Sequence, residues 1–164
     1  MKTPNHTLPI VTNDGTFLAR YSRNGLVELN FPNGDKPGPS AQLKARDPKI
    51  HAWHRTAGSA LKKMLAGKKA KKFPPLRLEG TEFQKSVWRE MQKIPTGRTK
   101  SYGEIARAIG NPKAVRAVGG ACGANPIPVL VPCHRVLAAN KKIGGFSGGL
   151  DWKRKLLAVE GIVL

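Results

Sequence analysis

The residues best suited to chemistry lie in one short apolar run, Val131-Pro-Cys-His-Arg-Val136, where a thiol is followed by an imidazole and a guanidinium. Sulfur attacks as the thiolate, and a free cysteine with a pKa near ~8.5 needs a neighbouring cation or base to ionise at neutral pH. Cys133 is therefore the leading candidate for a nucleophile. The alternative is that Cys133 is a small buried side chain at the end of a strand.

The same run predicts an extended strand, in which successive side chains point to opposite faces. In that conformation His134 cannot easily take the proton of Cys133 directly. A bridging water or a third residue is required if the two side chains are to act together.

The first part of the chain predicts a small α/β unit. Short strands at Pro9 to Thr12, Gly15 to Tyr21 and Gly25 to Phe31 are separated by Asn-Asp-Gly and Arg-Asn-Gly turns, a pattern typical of a β-meander. The stretch from Pro32 to Pro48, rich in proline and glycine, predicts a loop. Apolar residues at helical spacing from Lys49 to Ala66 predict one helix.

Beyond Pro74-Pro75 the pattern becomes helical, which predicts two domains over residues 1–76 and 77–164. Thr81 caps a first helix with an apolar stripe, and Ser101 or Thr99 caps a second that stops at Gly110. A third helix runs from Lys113 to about Cys122. The last two predict a helix-turn-helix, with the following proline-rich strand and glycine-rich loop as a wing.

The third helix carries almost no long polar side chains, so it cannot make many contacts to base edges in a major groove. Small residues such as Ala117 and Gly119 permit a close approach to the walls of a minor groove instead. Arg116 is its one long projecting group. The alternative is that Arg116 is an ordinary surface arginine or is paired to an acid.

The charge of the chain indicates a polyanionic partner. The formal net charge is +19, with 29 basic and 10 acidic side chains, and both halves of the chain are basic. Such a distribution suits non-specific DNA binding, although RNA-binding proteins are equally basic. A cluster of lysines between Lys62 and Lys72 has two interpretations: a solvated helix end whose cations suit the dipole, or additional phosphate contacts.

The two cysteines, Cys122 and Cys133, are too few for a multi-cysteine zinc site and are expected to be free thiols. His51 and His54 have helical spacing, and solvated or core-edge histidines are preferred to a weak metal site. We expect no metal and no cofactor. No apolar segment is long enough to span a membrane and no secretory signal is visible, which predicts a cytoplasmic or nuclear protein.

Five motifs follow one another between about residues 78 and 162: Thr99-Lys-Ser-Tyr-Gly-Glu-Ile-Ala106, Gly110-Asn-Pro-Lys-Ala-Val-Arg-Ala-Val-Gly-Gly120, Asn125-Pro-Ile-Pro-Val-Leu-Val-Pro-Cys-His-Arg135, Gly145-Phe-Ser-Gly-Gly149 and Lys155-Leu-Leu-Ala-Val-Glu-Gly161. In order and spacing they resemble the O6-alkylguanine-DNA alkyltransferases. The N-terminal half matches only loosely. The resemblance implies an N-terminal domain of ribonuclease-H-like shape, followed by the mostly α winged helix-turn-helix domain.

The resemblance also implies a role for individual residues. Cys133 would be the alkyl acceptor, with His134 held by Glu160 as part of a water-mediated proton path. Asn125 would tie the hinge before the active-site strand, and Tyr102 would help rotate the nucleotide and donate its hydroxyl to the guanine ring. Substrate contacts are implied for Tyr102, Gly145, Ser147, Phe146 and the Val136 carbonyl, and DNA contacts for Arg116, Ala117, Gly119 and Arg135.

Many relatives carry tyrosine where this chain has Phe146, so a hydroxyl is missing from that pocket and the substrate preference differs in detail. The activity implied is direct repair: an O6-alkylated guanine leaves the duplex and gives its alkyl group irreversibly to Cys133. O4-alkylthymine is left open as a second substrate. The partner would be double-stranded DNA containing O6-alkylguanine, bound by a monomer, with cooperative binding left open.

Two alternatives remain. One is a non-enzymatic lesion binder of the alkyltransferase-like type, a group that lacks the cysteine and against which Cys133 argues. The other is a basic winged-helix or RNA-binding module whose cysteine is structural. Reactivity of the Cys133 thiol separates the alkyltransferase from both.

Overall fold

The computed structural model describes residues 5–32 and 47–164. Three antiparallel strands form a meander in the order β1-β2-β3: β1 (His6–Thr12), β2 (Gly15–Ser22) and β3 (Gly25–Asn30). The alternating pattern of β1 and β2 places one face of each strand against the core, with Phe17, Ala19 and Tyr21 of β2 fully buried. The predicted meander is confirmed, whereas most of the predicted loop from 32 to 48 lies outside the described residues.

Helix α1 (Pro48–Leu65) follows and covers the sheet. Asp47 caps it by accepting from the backbone N–H of Lys49, and Pro48 occupies the first turn, where its missing N–H has no intrahelical partner to lose. Gly67 follows the C-terminal cap residue of the helix and has a φ of +71°. The N–H groups of Gly67 and Lys68 return to the carbonyls of Met64 and Lys63, which is the Schellman pattern that a left-handed glycine permits.

Three helices form the next layer: α2 (Glu82–Gln92), α3 (Tyr102–Ala108) and α4 (Val115–Gly123). Capping boxes at Thr81 and Ser101 begin the first two, which agrees with the cap residues predicted from sequence. The fully buried Trp88 of α2 donates its indole N–H to the carbonyl of Ala121 at 2.8 Å and so fixes α4 against α2.

The predicted strand through Cys133 is wrong. The segment from 125 to 135 forms a series of turns that ends in a 3-10 helix, Cys133–Arg135. Pro132 has φ −83° and ψ 68°, and the N–H of Cys133 bonds the carbonyl of Val131, as in an inverse γ-turn. Val129 has a φ of 73°, a costly conformation for a β-branched residue that the surrounding bonds must hold.

Only two short strands flank this segment among the described residues of the C-terminal part: β4 (Lys100–Ser101) and β5 (Val136–Leu137), which pair in parallel. The pair ties the start of α3 to the exit of the cysteine turn. No longer strand forms in residues 125–149, because the chain there is used for turns and glycine-rich loops. The proline-rich stretch therefore forms turns in place of the predicted strand.

The final helix, α5 (Leu150–Val159), packs Leu156 and Leu157 into the same core and ends at Glu160. One buried cluster runs from the sheet through α2 to α5. Four aromatic rings join its two ends, with centroid separations of 5.0 to 5.6 Å: Phe17, Phe31, Phe146 and Trp152. Every helix of the described residues is too short or too polar to cross a bilayer.

Candidate active site

Cys133 lies at the first position of the 3-10 turn and is 3 % exposed. The turn, rather than a strand, removes the alternation of faces that the sequence suggested. Even so, no hydrogen bond joins the Cys133 sulfur to His134 among the described residues. Any proton transfer between them therefore needs a mediator, as the sequence also indicated.

Glu160 fixes the orientation of His134, the residue after the cysteine. The buried His134 ring places Nε2 3.0 Å from Glu160 Oε1, and the Glu160 side chain is 2 % exposed. Burial alone would raise the pKa of Glu160, but hydrogen bonds from His134 and Arg135 more than offset it and lower the pKa to about 2. The carboxylate is thus ionised and can only accept, so Nε2 must carry the imidazole proton.

The other ring nitrogen of His134 is left as a base. Nδ1 is buried and has no hydrogen-bond partner among the residues described. Burial lowers the pKa of His134 despite the opposing influence of Glu160, so the imidazole is neutral near neutral pH. A neutral ring whose Nε2 is protonated has a free lone pair on Nδ1, which is the acceptor that a general base needs.

Arg135 does not lie on the DNA-binding surface that the sequence predicted. It is 5 % exposed, and its guanidinium bonds both oxygens of Glu160, the carbonyl of Ile94 at 2.7 Å and the hydroxyl of Thr96. All three guanidinium nitrogens are engaged, so none is free for a phosphate. A buried bidentate ion pair is a use for which arginine is better suited than lysine.

The thiol itself is held in its protonated form. Burial raises the pKa of Cys133 to about 11, against the smaller opposing effects of the Asn125 amide and the Lys153 ammonium. Cys122, also buried, donates to the sulfur of Met91 at 3.5 Å, and burial raises its pKa to about 12. Since the thiolate is the reactive form, Cys133 requires a base when substrate is present, whereas the hydrogen bond of Cys122 goes to a thioether, which is not a base.

Asn125 fixes the approach to the cysteine turn. It is buried, its amide donates to the carbonyl of Val131 at 2.8 Å, and its oxygen accepts from the N–H of Ile127 at 3.0 Å. These two bonds cross the loop from its start to the residue before Pro132. The side chain therefore closes the turn that carries Cys133, in the place where the resemblance put a hinge.

The half-buried Tyr102 begins α3 and faces the glycine-rich loop. A Cβ at Gly144 would lie 2.7 Å from the tyrosine hydroxyl, and one at Gly119 of α4 would lie 3.9 Å from the ring. Burial raises the pKa of Tyr102, with smaller contributions from both cysteine thiols, so the phenol stays protonated and can donate. The structure thus gathers Tyr102, the loop and α4 beside the cysteine.

Lys153 is a functional candidate that the sequence interpretation missed. It is completely buried, and its ammonium donates to the carbonyls of Val136 at 2.8 Å and Gly145 at 3.0 Å. It therefore ties the exit of the cysteine turn to the loop that is predicted to contact the guanine. The signal available in the sequence was a lysine in the apolar stripe of α5, three and four residues before Leu156 and Leu157.

The remaining predicted residues divide between two places. Arg116 and Ala117 are exposed in the first turn of α4, and Gly119 lies on the side of that helix that faces Tyr102. Ser147 is exposed on the loop, whereas Phe146 packs edge-on against Phe31 of the N-terminal part, with 5.6 Å between centroids. His54, considered for a metal, uses both ring nitrogens on Tyr21 and the Pro9 carbonyl.

Residues 82–162 match the family model described as "6-O-methylguanine DNA methyltransferase, DNA binding domain". A methylated-DNA–protein-cysteine methyltransferase of Methanosarcina acetivorans is 44 % identical over 149 residues, which cover 90 % of this chain and 92 % of that protein. The chain belongs to this family. A second member, from Methanosarcina mazei, is 50 % identical over 145 residues, with 87 % and 89 % of the two chains covered.

Solved structures of the family extend the likeness to the fold. The crystal structure of Mycobacterium tuberculosis OGT in complex with DNA is 37 % identical, with a TM-score of 0.77 over 94 % of this chain and 92 % of that one. The crystal structure of O6-methylguanine methyltransferase from the same organism gives a TM-score of 0.75 at 38 % identity, over 96 % of this chain and 93 % of that one. The family likeness therefore includes the N-terminal sheet, which lies outside the family model.

Proposed function

We propose that the protein repairs DNA directly, by moving the alkyl group of an O6-alkylguanine onto Cys133. The observation that carries this function is the buried pair of Glu160 and His134, which leaves Nδ1 of the imidazole without a partner on the residue that follows Cys133. Family membership supports the same chemistry. A structural cysteine would need neither an ionised buried carboxylate nor an unpaired ring nitrogen beside it.

The transfer begins with a proton. Through one bridging water, the Cys133 proton passes to His134 Nδ1, and the imidazolium is stabilised by the Glu160 carboxylate. The thiolate then attacks the alkyl carbon, so that a sulfur–carbon bond forms as the carbon–oxygen bond breaks. The electron pair of the broken bond stays on the guanine, which leaves as an anion and takes up a proton.

Tyr102 and Lys153 assist in different ways: Tyr102 acts on the leaving group and Lys153 positions the loop. The Tyr102 hydroxyl, protonated because burial raises its pKa, donates to the purine as negative charge grows there and so improves the leaving group. Lys153 fixes the Gly145 carbonyl relative to Val136, so that the loop carrying Ser147 is positioned before the base arrives. The thioether product has no carbonyl that water can attack, so each protein acts once.

The base must leave the duplex to reach a cysteine that is 3 % exposed. The small exposed surface of α4 suits an approach to the minor groove, and Arg116 is the long side chain there that can fill the space of the extruded nucleotide. We assign to α3 and α4 a helix-turn-helix role of the winged type, and to the N-terminal sheet and α1 the ribonuclease-H-like shape. We propose that one monomer acts on each lesion.

The test is the intact mass of the protein after incubation with duplex DNA that carries one O6-methylguanine. We expect one methyl group per protein, mapped to Cys133, in the unaltered protein and in Cys122→Ala, and no adduct in Cys133→Ala. DNA binding without any gain in mass would support the non-enzymatic lesion binder instead. Methylation of Cys122 would overturn the assignment of the nucleophile.

A further inference from the structure

Six exposed lysines follow one another closely at the end of α1 and in the segment after it, and we call them the lysine face: Lys62, Lys63, Lys68, Lys69, Lys71 and Lys72. From residue 48 to residue 78 the chain has nine lysines and arginines and no acidic residue. None of the six lies within ion-pair distance of a carboxylate among the described residues, where the ion pairs involve other cations.

The helix dipole explains only part of this charge. Lys62 and Lys63 lie in the last turn of α1, where a cation is favoured. The other four lysines lie beyond Gly67, outside the turn within which the dipole acts. These four cations are exposed and repel their like-charged neighbours, which destabilises the folded state. A bound anion would offset that repulsion.

The face is held in a fixed conformation. Gly67 closes α1 with two backbone bonds, and its left-handed backbone lies so close to the Val159 carbonyl that a Cβ would overlap it. At the other end, Leu26 of β3 accepts from the N–H of Arg77 at 2.7 Å and donates to the carbonyl of Pro75 at 2.8 Å. The lysines thus project from a backbone anchored on both sides, which reduces the ordering needed to bind a regular row of charges.

This surface is separate from α4, which we call the recognition helix because we propose that it approaches the minor groove. Lys69, Ala70 and Phe73 share a cavity of about 140 Å³ with Pro132 and Arg135, and no residue of α4 lines it. The recognition helix instead lies against Tyr102 and α2. Two acids lie near these lysines. Glu160 is already saturated by His134, Arg135 and the N–H of Gly97, and Asp14, which lines a cavity with Lys62, is paired with Lys155, so neither neutralises the lysines.

We propose that the lysine face is a second DNA-binding surface, which takes the phosphate backbone of a stretch of duplex other than the one that α4 reads. Lysines are flexible point charges without the planar fork of arginine, and they suit contacts to phosphates that carry no sequence information. The phosphate backbone of duplex DNA is a regular polyanion, and its charges match a row of cations spaced along one anchored segment. The inference needs DNA as partner and does not depend on alkyl transfer.

The experiment compares the unaltered protein with Lys68→Gln/Lys69→Gln/Lys71→Gln/Lys72→Gln. A matched control, Lys85→Gln/Lys93→Gln/Arg154→Gln/Lys155→Gln, removes four cations that each have an acidic neighbour. Binding of an undamaged duplex long enough to reach both surfaces is measured by fluorescence anisotropy at several salt concentrations. Each lost phosphate contact lowers the slope of log K against log salt by about 0.9.

We expect the slope to fall by about 2 to 4 in the lysine-face variant and by less than about 1 in the control. With an excess of duplexes too short to span both surfaces, sedimentation should give two duplexes per unaltered protein and one per variant. The rate of methyl transfer from a short lesion duplex should stay unchanged, which separates this surface from the active site.

Equal slopes for the variant and the control, or one short duplex per protein in both, would overturn the proposal. A contribution of the lysines that appears with single strands and not with duplex would also overturn it, and would point to base stacking on the exposed Phe73. Circular dichroism of both variants establishes that each is folded before the titrations are compared.

Discussion

Among the single residues, Glu160 bonds two neighbours, His134 and Arg135, and the two contacts have different effects. Its contact with His134 sets which ring nitrogen is protonated, and its contact with Arg135 neutralises a buried cation. Glu160→Gln keeps the size of the side chain but removes the charge that stabilises an imidazolium. We expect the single-turnover rate of alkyl transfer to fall about 10²-fold or more, with DNA affinity nearly unchanged.

The matched control for this variant is Glu82→Gln, which removes an exposed carboxylate near Lys85. It should leave the transfer rate within about twofold, because an exposed ion pair contributes little. An unchanged rate in Glu160→Gln would show that His134 works without its carboxylate. A fall in DNA affinity that accounts for the whole loss would show a role in binding rather than in proton transfer.

The pKa of Glu160 also predicts how stability depends on pH. Its folded pKa lies below its ordinary value of 4.5, at about 2, so the ionised side chain contributes stability that is fully present above pH 4.5. That contribution is lost as the pH falls from 4.5 through about 2. We expect Glu160→Gln to flatten this part of the acid unfolding curve, measured by urea titration at successive pH values. The same steep fall in the variant would assign acid unfolding to other groups.

Lys153 is a second residue whose role a single substitution tests. Lys153→Met keeps most of the length and removes the ammonium, which leaves the carbonyls of Val136 and Gly145 without that donor. We expect the transfer rate to fall about tenfold and the free energy of unfolding to drop by about 1–3 kcal/mol, the cost of unpaired buried groups. Lys155→Met, two residues away and exposed, is the control. Equal effects of the two changes on the transfer rate would argue against a role for Lys153 in positioning the loop.

At the scale of elements, His54 joins three of them. Its Nε2 must donate to the Pro9 carbonyl of β1, at 2.9 Å, so its Nδ1 accepts from the hydroxyl of Tyr21 in β2, at 2.8 Å. Burial lowers the pKa of His54 below its ordinary 6.5. The neutral ring therefore contributes stability that is present above pH 6.5 and is lost as the pH falls through the lower folded value.

We expect the difference in unfolding free energy between pH 8 and pH 5 to become smaller in His54→Gln. His51→Gln changes an exposed histidine on the same helix and should reduce that difference much less, because His51 makes the smallest of the three contributions to the pKa shift of His54. Urea unfolding of the three proteins at both pH values measures the effect. An identical pH dependence in His54→Gln would show that protonation of this ring is not linked to folding.

The end of α1 is a second test at this scale. Gly67 and Gly110 have similar positive φ values, 71° and 78°, but a Cβ at Gly67 would overlap the Val159 carbonyl whereas one at Gly110 meets nothing within 4 Å. Gly110→Ala should cost about 1–2 kcal/mol for the backbone conformation alone. Gly67→Ala should cost more by about 1–3 kcal/mol, since it adds a steric overlap. Equal losses of melting temperature would show that α5 shifts freely.

The helices were the elements most accessible from sequence, because local chemistry decides their ends. Thr81 and Ser101 form the capping boxes that their spacing indicates, and α1 ends one residue earlier than predicted. The strand predicted through Cys133 failed because an apolar run fits a strand and a buried turn equally well. The turn depends on Asn125, whose bonds to Ile127 and Val131 no periodicity reveals.

The site was predictable to a lesser extent. Motifs identified Cys133, His134 and Glu160, but they gave no sign that Arg135 bonds a carboxylate 25 residues further along the chain. Lys153 was overlooked because a lysine in a helix is usually exposed, and its burial depends on two carbonyls from separate loops. Contacts of this kind are decided by the packing of distant segments and not by local pattern.

At the scale of the whole molecule, four aromatic rings connect the N-terminal sheet to the loop beside the active site. Phe31 lies at the centre of this group, 5.4 Å from Phe17, 5.0 Å from Trp152 and 5.6 Å from Phe146. A Cβ at Gly148 would lie 2.6 Å from the Phe31 ring, so the loop rests directly on it. The N-terminal part thus sets the position of a loop that the family model assigns to the C-terminal part.

Phe31→Ala should therefore affect function as well as stability. We expect unfolding to become easier by about 2–4 kcal/mol, as for removal of a well-packed phenylalanine, and alkyl transfer to slow about tenfold as the loop loses its support. Phe73→Ala, at a phenylalanine outside the four rings, controls for loss of an aromatic side chain. The transfer rate is measured at a temperature where all three proteins are folded. If Phe31→Ala lowers the melting temperature yet transfers methyl at the unaltered rate, the loop is positioned by Lys153 alone, and the N-terminal sheet contributes stability without shaping the site.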